Sequence, residues 1–181
     1  MNIGSGALKR LVYIALACAL AQTGALGADV ATPAANSTVS AQDKDRFESV
    51  SAQDAVEAQA LLQRAVAYYK AIKDLALAHF GPQGEFVRDD LYVYVVSTSG
   101  VLLASGGLSS GWIGTNVADQ QDAVGKPFVR EVLDKARKNG SGTVEYHWLN
   151  PYSNKTERKI AYFQKVGDRI ILVGYFTSAN R

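Results

Sequence analysis

The chain has 181 residues, 48% of them apolar and 20% charged, with a formal net charge of +2, one cysteine and two histidines. That is one domain's worth of sequence with enough apolar side chains for a core. The balance excludes a polyanion binder driven by bulk charge, which needs a Lys/Arg excess of many units. One cysteine and two histidines likewise cannot supply the usual zinc ligand set.

Residues 1–27 open with Lys9-Arg10, run through the apolar stretch Leu11 to Ala21 and finish on small residues at Ala25 and Gly27. A basic start, a short apolar run and a small-residue exit read as a secretory signal cleaved after Gly27. The run of about eleven residues falls short of the roughly 20 that a membrane span needs. Cys18 offers a lipoprotein alternative, but Ala15-Leu16-Ala17 lacks the leucine wanted three positions upstream. Cleavage removes Lys9, Arg10 and the sole cysteine, leaving 17 basic against 17 acidic residues. No disulfide or thiol chemistry is then expected in an oxidising compartment. With no later apolar segment near 20 residues, the mature protein is expected to be soluble, periplasmic or secreted, without membrane insertion.

Residues 28–50, rich in Ala, Ser, Thr, Asp and Gln without apolar periodicity, read as a flexible leader or the frayed start of a helix. Ordered structure is expected from Ser51, whose spacing to Asp54 is that of a capping box. Val56, Leu61, Leu62, Ala65, Val66, Tyr69, Ile72, Leu75, Ala76 and Phe80 form a helical apolar stripe, which predicts one helix over 52–80, about 44 Å long, ended by Gly81-Pro82. Leu91 to Val96 and Val101 to Ala104 flank the turn Ser97 to Gly100 and predict a hairpin. The glycine-rich segment 106–125 carries Trp112 and no strong period. A second helix starts after Pro127, with Phe128, Val129, Val132, Leu133 and Ala136 on its apolar side, and stops at Gly140. Three strands follow, Thr143 to Leu149, Arg158 to Val166 and Arg169 to Phe176, the last two joined by Gly167-Asp168. Short links imply antiparallel neighbours, so the expected class is α+β with a five-stranded antiparallel sheet and a single domain over 51–181, its sheet and second helix within 90–177.

The series Asp90 to Ala104, Gly114-Thr-Asn116, Gly125-Lys-Pro-Phe-Val-Arg-Glu-Val132, Gly140 to Trp148, Asn150-Pro151 and Lys159-Ile-Ala-Tyr162 resembles the single Cache domain of the second type. That module is the extracytoplasmic sensor of bacterial chemoreceptors and histidine kinases, and the resemblance covers roughly residues 52–177. It implies a long N-terminal helix against a PAS-like antiparallel sheet, with a small-ligand pocket between sheet and connecting segments. Short carboxylates are frequent ligands in the family. Two departures stand out: here a cleaved signal is expected and nothing follows Arg181, and the closing strand reads Ile171-Leu-Val-Gly-Tyr175 where relatives often carry an additional glycine.

Residues 28–125 hold 6 basic and 12 acidic side chains, and 126–181 hold 11 and 5, so the halves carry −6 and +6. Either these are solvated faces, or a cleft lined by the second half favours an anion. Lys159 and Tyr162 occupy the family's Lys-x-x-Tyr pattern. An ammonium and a phenol suit a carboxylate, although strict alternation places the two on opposite faces unless a bulge intervenes. Tyr146 and Trp148 on one strand, and Tyr92 and Tyr94 on another, line either the sheet core or an apolar pocket wall. Arg130 is a candidate guard of that pocket or a surface residue.

His79 and His147 have no neighbouring ligand at metal spacing and read as structural. No nucleophile elbow or phosphate loop occurs, so no catalytic residue, metal or cofactor is expected. The leading function is therefore a stand-alone sensor module for a small organic anion. The alternative is an accessory subunit that forms a homodimer or docks on a membrane sensor protein through its long helix.

Overall fold

The computed structural model describes residues 41–177. The signal segment, Cys18 and residues 28–40 of the expected leader lie outside the described residues. Helix α1 spans Ala41–Ile72 and passes into a 3-10 helix, Lys73–Phe80. It thus begins eleven residues before the predicted start at 52. The segment 41–50 has no apolar stripe, but its Ala, Gln, Lys, Arg and Glu are good helix formers. The α-helix also ends earlier than predicted, at Ile72, and the next residue, Lys73, has φ 54. The stripe concealed this break because Ala76 and Phe80 are buried in the 3-10 turn as well, and a spacing of four does not report helix pitch.

The sheet has six strands: β1 Val87–Arg88, β2 Leu91–Ser97, β3 Leu102–Ser105, β4 Ser141–Asn150, β5 Lys155–Val166 and β6 Arg169–Phe176. The strand missing from the sequence reading is β1, two residues too short to leave a pattern. The order is β1-β2-β6-β5-β4, with β3 also on β2, and every pairing is antiparallel. Helix α2, Phe128–Asn139, is the one further α-helix among the described residues. Among the described residues, no helix is long and apolar enough to cross a membrane.

Alternation along the strands sorts their side chains into two cores. On one face Val93 and Val95 of β2, Ile171, Val173 and Tyr175 of β6, and Ile160 and Tyr162 of β5 pack against Ala58, Leu61, Leu62, Ala65, Val66 and Tyr69 of α1. On the other, Val144, Ala161, Phe163 and Leu172 pack against Phe128, Val129, Val132, Leu133 and Ala136 of α2.

The loop before α2 is pinned to the outer edge of β4. Asp122 is 7% exposed; its Oδ1 accepts the amides of Val124 and Lys126, and its Oδ2 accepts that of His147. The Lys126 and Lys135 ammoniums donate to the carbonyls of Glu145 and Thr143, so this sheet edge is occupied by side chains. Burial pushes the Asp122 carboxyl up, but the three amides and His147 outweigh it and leave it below its ordinary value. A carboxyl depressed on folding contributes stability above its unfolded pKa of about 4, and loses that contribution as pH falls through its folded value. Asp122→Asn turns an amide NH2 toward one of the backbone donors and is expected to cost about 1–3 kcal/mol at pH 7. Urea unfolding of both forms from pH 7 down to pH 2 should show this difference constant at first and shrinking below about pH 4.

Candidate functional site

The α2 face of the sheet brings five of the candidate residues together. Tyr92 and Tyr94 alternate on β2, Tyr146 and Trp148 on β4, and Lys159 lies on β5 opposite Tyr146 on one side and Phe176 of β6 on the other. Lys159 is 1% exposed. Its Nζ stands 4.0 Å from the centre of the Tyr92 ring and 4.3 Å from that of Phe176, and it has no hydrogen-bond partner among the described residues. The Tyr94 hydroxyl is also buried without a hydrogen-bond partner among the described residues. Burial, with Tyr92 adding to it, holds the Tyr94 phenol well above its ordinary pKa, and burial with Tyr92 and Tyr94 does the same to Tyr146. These phenols are therefore neutral donors at physiological pH.

Beside them stands an aromatic wall. Phe128, in the first turn of α2, stacks on Tyr146 at 4.2 Å and meets Trp148 edge-on at 5.6 Å. Trp112, 44% exposed in the 3-10 helix Leu108–Trp112, meets Trp148 edge-on at 6.3 Å from the outside. The glycine-rich segment closes over Tyr92 at Gly107, where an added Cβ would stand 2.3 Å from the ring's Cζ. Phe128, Phe176, Trp112 and Gly107 were not among the candidates. Phe128 and Phe176 read as core, and only the strand register shows which rings surround Lys159.

Two candidates lie elsewhere. Tyr162 points to the α1 face, where it stacks on Tyr175 at 6.1 Å. β5 keeps strict alternation from Lys159 through Phe163, so no bulge reunites Tyr162 with Lys159. Arg130 is exposed on α2 and paired with Asp119. The charge division resolves in the same way. Lys126, Arg130, Lys135, Arg137, Arg158 and Arg169 each sit beside a carboxylate, whereas buried Lys159 has no ion pair among the described residues. Six cations of the positive half are thus partnered, and among the described residues Lys159 is the one lysine of that half that is buried.

His147 lies 3.7 Å from Asp122, and His79 packs edge-on against Tyr68, 3.6 Å from Glu85. Among the described residues, no group of three or more His, Cys, Asp or Glu is placed to hold a metal ion.

The family model for single Cache domain 2 matches residues 37–175. The chain belongs to that family. This Cache domain is similar in fold to a methyl-accepting chemotaxis protein from Vibrio parahaemolyticus RIMD 2210633, with TM-score 0.61 and 19% identity over 76% of this chain and 97% of that one. It is similar also to a Cache chemosensory domain solved for its carboxylic acid recognition, with TM-score 0.57 and 16% identity over 75% and 98% of the two chains. A third is the periplasmic sensor domain of a chemotaxis protein, with TM-score 0.54 and 18% identity over 76% and 97%. No curated protein matches the chain. The Cache assignment agrees with the resemblance carried by the motifs between Asp90 and Tyr162, and with the PAS-like arrangement of a long helix on an antiparallel sheet.

Proposed function

We propose that this Cache domain is a periplasmic sensor module that binds a short carboxylate, with the Lys159 ammonium as the charged anchor and the Tyr94 hydroxyl as a neutral donor. The observation that carries the reading is the state of Lys159, an ammonium 1% exposed and without a hydrogen-bond acceptor among the described residues. A buried unpaired charge costs several kcal/mol, and two ring faces at about 0.5–2 kcal/mol each offset only part of that. An incoming carboxylate supplies the missing acceptor. The aromatic wall of Phe128, Tyr146 and Trp148 suits the ligand's apolar part. A solved Cache relative that recognises carboxylic acids supports the same ligand class, and the amino-terminal signal pattern supports the periplasmic placement.

Thermal unfolding in the presence of acetate, propionate, lactate, pyruvate or succinate tests this. A ligand at a hundred times its dissociation constant adds about 2.7 kcal/mol, or roughly 5–10 °C for a domain of this size. If none of these acids moves the melting temperature, the reading fails. Tyr94→Phe removes a hydroxyl that has no hydrogen-bond partner among the described residues, so its stability should stay within about 1 kcal/mol of the parent while the affinity for the active acid falls about tenfold. Titration calorimetry on both forms measures the second effect.

A further inference from the structure

We infer that Gly174 is a positioning residue: its missing side chain is the gap through which Lys159 crosses β6 to set its ammonium against Tyr92. Lys159 belongs to β5 and Tyr92 to β2, and β6 lies between them. On the α2 face of β6 the residues are Leu172, Gly174 and Phe176. Gly174 pairs with Ala161 on β5, and the register that sets Val93 opposite Val173 brings Tyr92 beside it. A Cβ added at Gly174 would stand 2.9 Å from Lys159 Cε, closer than carbon atoms approach, 3.1 Å from Ala161 Cβ and 3.2 Å from the Ile160 carbonyl oxygen. Of these three neighbours the Ala161 methyl and the Ile160 carbonyl are fixed to their strand, while the lysine stem is the nearest and can swing. Any side chain at 174 therefore displaces the stem first and takes the ammonium off the Tyr92 ring. Glycine in a central strand otherwise weakens the sheet, and it is typical where another group must approach the backbone closely.

This inference rests on the proposed function for its ligand readout alone; a second readout needs no ligand. In the full chain, the Lys159 Hε protons lie between two ring faces and should resonate upfield of the other lysines, assigned by their absence in Lys159→Met. In Gly174→Ala they should move back toward the exposed-lysine envelope, and the affinity for whichever of acetate, propionate, lactate or pyruvate binds the parent should fall at least tenfold. If Gly174→Ala is strongly destabilised, Lys159→Ala is placed in the same chain. With the stem gone, Gly174→Ala should cost clearly less than it does in the parent, leaving only the tight contacts with Ala161 and the Ile160 carbonyl. An unchanged upfield shift in Gly174→Ala overturns the inference, as does equal damage by Gly174→Ala with and without the lysine. Unchanged affinity beside a displaced resonance separates Lys159 from binding and overturns the ligand part together with its anchor.

Discussion

Lys159→Met is expected to make the ligand-free protein more stable and unable to hold a carboxylate. Methionine is close to lysine in length and volume, lies well against aromatic rings, and carries no charge to desolvate. The ammonium of Lys159 is buried without an acceptor among the described residues, flanked by Tyr92 and Phe176. Removing the desolvation cost while losing two ring contacts leaves a net gain of roughly 1–2 kcal/mol, which is a rise of a few degrees in melting temperature. Binding goes the other way. Loss of the only charged anchor should weaken the active carboxylate by about a hundredfold or more, some 3 kcal/mol. Opposite signs for stability and affinity mark a residue kept for its ligand at the expense of the fold. Lys159→Met that is less stable than the parent and binds as well would instead make the lysine a structural cation held by its two rings. Thermal unfolding and calorimetry on the same preparations distinguish the outcomes.

How far the sequence carries toward this arrangement depends on the range of the signal. The long helix, both strand pairs around tight turns, α2 after Pro127 and the α+β class all follow from spacing and turn chemistry, which act within a few residues. Family motifs between Asp90 and Tyr162 add the Cache fold. Alternation, applied strictly, separates Lys159 from Tyr162, and the fold keeps them on opposite faces. The local rule thus predicts more accurately here than the Lys-x-x-Tyr pairing does.

What alternation cannot supply is register. That Lys159 stands opposite both Tyr146 and Phe176, with Gly174 one step along, depends on how three strands slide against one another. One residue of slip would exchange every one of these side chains for its neighbour on the other face. Phe128 was hidden for a related reason. A phenylalanine in the apolar stripe of a helix reads as core, and nothing local distinguishes a ring that fills a core from one that stacks on a site residue.

That distinction leads to the last expected result, Phe128→Ala. Phe128 is 4% exposed, stacks on Tyr146 with an interplanar angle of 10° and abuts Trp148. It joins the start of α2 to β4, so truncation opens a cavity between helix and sheet and should cost about 3–5 kcal/mol in urea unfolding. Phe128→Leu keeps the apolar bulk and should cost under about 1.5 kcal/mol. The chain has two tryptophans, Trp112 and Trp148, and both belong to this cluster, so its intrinsic fluorescence reports on the site wall. In Phe128→Ala the emission should shift to the red as more of the half-buried Trp148 meets water, and the active carboxylate should bind more weakly although Lys159 is intact. In Phe128→Leu the emission should stay near that of the parent and the affinity within tenfold, because the anchor and the apolar enclosure both persist. If Phe128→Ala costs less than about 1 kcal/mol and leaves the emission unmoved, the stack does not hold the wall. The aromatic residues on β4 would then keep their positions by packing within the sheet, and α2 would be a cover rather than a support.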